Sequence, residues 1–201
     1  MTLLLKNGRV VDCINNVDKK LDLFIENGKV KALDENLNIN ADRIIDCTGK
    51  TVIPGLCDMH VHFRDPGQTY KEDIITGGDA AVAGGVTAVA CMPNTKPVCD
   101  NAETVKYILD KAKKSKVKVY PVGSITNGLA GEQLSDYDAL KKAGCVAVSD
   151  DGRPVKSARM MAEAMVKAHY AGLKVISHCE DLEIINGGIM NLGRVSKELG
   201  V

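Results

Sequence analysis

From Val52 onward the chain repeats one pattern: a short, nearly continuous apolar run rich in β-branched residues, followed by a longer stretch with helical spacing. The short runs are TVIPGLCDMH, VTAVACM, KVKVYPVGS, CVAVSD and LKVISHC, and between them stand DIITGGDAAVAGG, NAETVKYILDKAKKS, SDYDALKKAG and SARMMAEAMVKAHYAG. Strands apolar on both faces need cover on both faces, which alternating helices supply, so the pattern predicts a parallel β/α sheet. Ser135 and Asn101 stand where helix N-caps are expected, ahead of DYDALKKAG and AETVKYILD. The units fit either an open doubly wound sheet or about five of the eight units of a TIM-type (β/α)8 barrel, and periodicity does not choose between them.

The first 52 residues read differently. LLLKNGRVVD, KLDLFIENGKVKALDEN and ADRIIDCTGKTVIPG alternate apolar and polar positions between turn signals, which predicts a small antiparallel β layer. Asn7-Gly8 and Asn27-Gly28 are the expected tight turns, because both residue types tolerate positive φ. The predicted organisation is residues 1–52 as an N-terminal β layer and 53–201 as the first part of a β/α barrel. Gly77-Gly78 and Gly84-Gly85 follow no strand in a phosphate-cradling spacing and are assigned to turns.

Charge narrows the partner. Lys+Arg and Asp+Glu number 26 each, which leaves no global field for a nucleic-acid backbone or an anionic membrane, so a small molecule is expected. The start MTLLLKNGRVVD has no basic leader, and no apolar run approaches the roughly 20 residues that span a bilayer, which predicts a cytoplasmic protein. Seven cysteines without a CxxC pair indicate neither a disulfide framework nor a thiolate zinc site, and most read as small buried hydrophobes. The basic KAKKSKVKVY run reads as a solvated face.

The polar residues favour the barrel. Barrel enzymes carry their chemistry at the C-terminal ends of the strands, and MHVH, CMPN, SDD and SH all stand at such ends. His60 and His62 are two apart on a strand, so their rings leave the same face and can converge on one ion. Neutral imidazole is the usual nitrogen ligand of zinc, and His178 and Asp151, on later strands, are the natural further ligands. His169 lies inside a helical stretch and reads as a surface or packing residue.

PGLCDMHVHFRDPG, ACMPNTKP and VAVSDDGRPV resemble the dihydroorotases of the amidohydrolase superfamily, in the bacterial branch that uses aspartate where relatives use a carboxylated lysine; the resemblance runs along all 201 residues. It implies a two-metal β/α barrel that interconverts dihydroorotate and N-carbamoyl-aspartate in pyrimidine synthesis, using hydroxide generated on a pair of Zn2+ ions. It places His60, His62 and His178 among the metal ligands, Asp151 as the carboxylate bridging both ions, and Arg64 and Asn94 on the substrate carboxylate. A guanidinium fork suits that anion. Asp150 is read as a turn cap. No lysine stands at the end of the strand before Asp151, which argues against the carboxylated-lysine hydantoinases.

The resemblance also implies a proton-shuttling aspartate and a fourth metal-binding histidine, both expected beyond Val201. The chain is therefore expected to be the N-terminal half of such an enzyme, to hold at most one ion firmly, and to turn over dihydroorotate negligibly alone. The β layer would be part of a composite β-sandwich. A homodimer and an association with aspartate transcarbamoylase are the partner expectations. Two competing readings are another cyclic amidase, of allantoinase or hydantoinase type, and a non-catalytic assembly subunit. Arg64, Asn94 and Asp151 favour dihydroorotase over the first, and the intact ligand set argues against the second.

Overall fold

The computed structural model describes residues 1–201, which form two compact units, Met1–Gly55 and Leu56–Val201. In the first, β1 (Thr2–Asp12), β2 (Val17–Glu26) and β3 (Lys29–Asp34) are followed by β4 (Arg43–Asp46) and β5 (Thr51–Val52). β1, β2 and β3 pair antiparallel. The sheet is nonetheless mixed, because β4 and β5 both pair parallel to β1, on the edge opposite β2. Asn27 and Gly28, at φ 50 and 72, make the expected hairpin turn. Asn7-Gly8 makes none: β1 runs through it, and Asn7 at φ 63 marks a register shift between Leu5 and Gly8. The amide of Asn7 donates to the buried carboxylate of Asp22 at 2.8 Å, and Lys6 pairs with the same group at 3.1 Å.

The second unit alternates as predicted. β6 (Leu56–Val61), α1 (Ile74–Ala83), β7 (Val86–Cys91), α2 (Ala102–Ala112), β8 (Lys118–Gly123), α3 (Tyr137–Ala143), β9 (Ala147–Ser149), α4 (Ala158–Ala171) and β10 (Lys174–Ile176) follow in order, with short helices α5 (Leu182–Ile185) and α6 (Arg194–Leu199) closing the chain. The five strands are parallel and lie side by side in sequence order, as five units of a β/α barrel do. TVIPGLCDMH is not one strand. It divides into β5 and β6, and the division falls around Pro54, which has no N–H to give a ladder.

Alternate side chains along a strand enter different layers. In β7, Val89 and Cys91 join the helix-side core with Ile74, Val105 and Ile108. Ala90 and Met92 pack instead with Val122 and Ala147 on the other face. Burial pushes the Cys91 thiol up to about 12, so it behaves as a small apolar residue. Cys47, Cys99 and Cys145 are likewise buried, whereas Cys13, Cys57 and Cys179 are exposed.

Three local expectations are corrected. Gly77 and Gly78 are helical, inside α1. Their lack of a side chain serves close packing: a Cβ on Gly77 would meet the Phe63 ring at 2.5 Å. The cap of α3 is Asp136, whose carboxylate accepts from the Ala139 amide at 3.0 Å, while Ser135 is buried against Ser124. Asn101 caps α2 as expected, accepting from the Thr104 amide. Lys111, within the basic run, is no solvated charge, since its Nζ lies 2.5 Å from the fully buried carboxylate of Asp65. Lys113 and Lys116 do remain at the surface, paired with Asp110 and Asp79.

Candidate metal centre

β6 is irregular where it matters. Asp58 pairs with Val89 and Val61 with Cys91, so β6 spends one more residue than β7 across Met59 and His60. Such a bulge re-aims side chains at the end of a strand. The Asp58 carboxylate accepts from the His60 amide at 3.0 Å and holds the turn. His60 and His62 then stand with ring centroids 5.3 Å apart.

Both rings face one carboxylate. His60 Nε2 lies 3.4 Å from Asp151 Oδ1, and His62 Nε2 lies 3.2 Å from Asp151 Oδ2. Ligand atoms of these three residues all lie within 4.8 Å of one another. His178, just beyond β10, is outside that trio but reaches the same carboxylate, with Nδ1 3.1 Å from Asp151 Oδ1 and Nε2 3.5 Å from Glu180. Asp151 is almost fully buried, its side chain 8% exposed. His60, His62, Asp151 and His178 are thus brought together from the ends of three strands, while His169 is exposed in the last turn of α4.

The donor set suits a divalent cation. His62 Nδ1 lies 2.9 Å from Asn94 Oδ1, an oxygen that only accepts, so this contact puts a proton on Nδ1 and leaves Nε2 as the ring nitrogen that faces Asp151 Oδ2 at 3.2 Å. A nitrogen and a carboxylate oxygen at that distance are satisfied by a proton or a metal ion between them. Nitrogen and carboxylate donors in this arrangement are those that zinc and similar ions take.

Asp150 is turned away from this cluster. Its carboxylate accepts from the Thr126 amide at 3.0 Å and from the Thr126 hydroxyl at 2.5 Å, and burial raises its pKa against those donors. The role is structural, but the carboxylate holds Thr126, 24 positions away, where a cap on its own turn was expected.

Arg64 and Asn94 meet in a recess of about 320 Å³ lined also by Gln68, Asp151 and Arg153. Arg64 sits at φ 57, a conformation that costs a non-glycine residue about 1–2 kcal/mol. The loop imposes it. Arg64 O accepts from the Gln68 amide at 2.9 Å, and next to it Asp65 accepts from Lys111, from the Tyr107 hydroxyl at 3.0 Å and from the Ile74 amide at 3.3 Å. Burial opposes the Lys111 charge, but the Asp65 carboxylate more than offsets this and its pKa is raised. Burial and the same carboxylate also raise the pKa of Tyr107. Asp65 is therefore committed to α2 and leaves the Arg64 guanidinium to the recess. Asp58, Glu180 and Arg153 were not singled out in the sequence; the only signal for them was closeness to the motifs, which does not say what a side chain touches.

The fold is shared with amidohydrolases. The L-hydantoinase (dihydropyrimidinase) from Arthrobacter aurescens superposes with a TM-score of 0.74 at 24% identity, over 92% of this chain and 42% of its own. The dihydropyrimidinase from Brevibacillus agri gives 0.71 at 21% identity, over 93% and 42%. At these identities the likeness is one of fold. By architecture, then, the chain has the fold of these enzymes, with parallel β/α strands in its second unit. The sequence is more specific: the dihydro-orotase-like family model matches residues 49–201, and the chain belongs to that family. It is 54% identical to the dihydroorotase of Geobacter sulfurreducens, over 100% of this chain and 48% of the relative. It is 48% identical to that of Acetivibrio thermocellus, over 99% and 47%. The chain spans about half the length of these curated relatives. No helix is long and apolar enough to cross a membrane.

Proposed function

We propose that the protein is a dihydroorotase, and that this chain supplies the part of its active site that holds the metal and receives the substrate carboxylate. The observation that carries the reading is the convergence of His60, His62 and His178 nitrogens on one buried carboxylate, at 3.1–3.4 Å. Asp151 presents Oδ2 to His62 and Oδ1 to His60 and His178, so this one carboxylate is within reach of all three rings. In this reading His60, His62 and Asp151 hold one Zn2+, and His178 with Asp151 belongs to a second. Bound divalent ions supply Lewis acidity toward an amide carbonyl and toward water.

The chain's own groups supply orientation. Arg64 and Asn94 both line the recess beside Asp151, and a guanidinium there can offer a substrate carboxylate a forked contact. A substrate held there by its carboxylate presents its ring amide to the metal site. Residues 1–52 are read as part of a composite β-sandwich and 53–201 as the first part of the barrel domain. The family names of the relatives support a small-molecule substrate with a cyclic amide.

The test is ring opening of dihydroorotate, hydantoin and allantoin by the protein expressed from its complete gene. Turnover of dihydroorotate well above the other two is expected. Arg64→Met should raise KM for dihydroorotate far more than for hydantoin, which has no carboxylate. A preference for hydantoin, or equal effects of Arg64→Met on both substrates, would reject the assignment.

A further inference from the structure

The bond between His62 and Asn94 is not explained by anion binding. Asn94 lies three residues beyond β7, 32 positions from His62, yet its Oδ1 stands 2.9 Å from the His62 Nδ1. The segment that carries it is fixed: Pro93 O accepts from the amides of Thr95 at 2.8 Å and Cys99 at 3.0 Å, and Asn94 O lies 3.5 Å from Gln68 Nε2. The other end of the amide faces Gly152, whose Cβ position is 3.5 Å from Asn94 Nδ2. Asn94 therefore spans from a ring on β6 to the loop that carries Asp151.

We infer that Asn94 is a positioning residue for the metal: its Oδ1 fixes the Nδ1–H tautomer and the ring plane of His62, and so sets the affinity of the His60–His62–Asp151 site. The inference rests on the metal reading above and adds a second task to a residue assigned there only to the substrate. The two ends of one amide divide the work. Oδ1 accepts from His62, and Nδ2 keeps its donors for an anion. The competing arrangement has the amide reversed, with Nδ2 donating to a bare Nδ1. His62 Nε2 would then carry the proton toward Asp151 Oδ2 and offer no lone pair to an ion. Outer contacts of this kind, which orient a ligating histidine, typically alter metal affinity 10–100-fold.

The experiment is zinc titration of the 201-residue chain against a chromophoric chelator, with folding checked by circular dichroism and urea unfolding. Asn94→Ala should weaken zinc binding about 10–100-fold. Asn94→Asp retains an acceptor for His62 Nδ1 but loses the amide donors, so it should bind zinc at least as tightly as the parent. A residue needed only for loop structure would not separate the two variants in this way. Nitrogen-15 spectra of the histidine-labelled parent give a readout independent of any variant's folding: with zinc added, His62 should show a protonated Nδ1 and a metal-shifted Nε2. Unchanged affinity in folded Asn94→Ala, or a proton on Nε2 in the zinc-loaded parent, would overturn the inference and leave the dihydroorotase reading standing. A parent that binds no zinc would sink both.

Discussion

Gly67 sits where the loop carrying Arg64 meets the loop carrying Asn94. A Cβ there would lie 1.9 Å from Lys96 O, and the glycine holds φ +89. The two loops are already tied at this point, the Lys96 amide donating to Pro66 O at 3.0 Å. Gly28 offers the natural control, since its φ is +72 but nothing lies within 4 Å of its Cβ position. Both alanine substitutions carry the left-handed penalty, but only Gly67→Ala adds a backbone collision. Gly67→Ala is therefore expected to destabilise by about 1–3 kcal/mol more than Gly28→Ala, read from urea midpoints; equal effects would show that the loops separate freely. At this scale the residues that cluster were legible in the sequence, because histidines and an aspartate at strand ends are chemically distinctive whatever their neighbours. The partners that aim them were not. Asn94 reaches His62 across 32 positions, and the loop approach at Gly67 that accompanies it has no local sequence mark.

Among the elements, α2 is bound to the loop after β6 by a single buried carboxylate. Asp65 has no side-chain exposure and takes both the Lys111 ammonium and the Tyr107 hydroxyl, one turn apart on α2. Removing the cation leaves that charge uncompensated in the interior, which costs about 3–5 kcal/mol in comparable pairs. Lys111→Met should lose stability on that scale. Asp65→Asn with Lys111→Met should recover part of it, giving a coupling energy of about 0.5–3 kcal/mol in a double-mutant cycle read by urea unfolding; additive losses would mean that the pair is not coupled. Because Asp65 adjoins Arg64, the same pair holds the guanidinium's loop in place. Strand and helix types in the second unit followed from the sequence, since short continuous apolar runs and longer stretches with helical spacing are distinct patterns. Periodicity gave no sign of the extra residue in β6, of the parallel joins of β4 and β5 to β1, or of a lysine that leaves its run for the interior. Each depends on which element lies alongside, and a one-dimensional pattern does not record that.

For the whole molecule, alternating β/α units fit an open sheet or a barrel equally well as a sequence pattern; the placing of polar residues at strand ends favoured the barrel, and the strands do lie in sequence order. The same placing makes the proposed ion a global stabiliser of one unit. His60 and His62 belong to β6 and its end, Asp151 follows β9, and all three lie within Leu56–Val201. An ion that binds only the folded site lowers the population of open states by the factor 1 + [L]/Kd, about 100-fold and about 2.7 kcal/mol at a free concentration of 100 Kd. Amides of β6 and β9 that exchange through opening of the site should therefore slow by about that factor when zinc is added. Amides of β2 and β3, in the unit that contributes no ligand, should exchange at unchanged rates. Hydrogen exchange read by mass spectrometry on peptides from the two units compares them in one sample, free of differences in concentration or pH. Zinc that slowed exchange nowhere in β6 or β9, yet bound with measurable affinity, would place the ion at surface carboxylates and remove it from the strand ends where the chemistry is proposed.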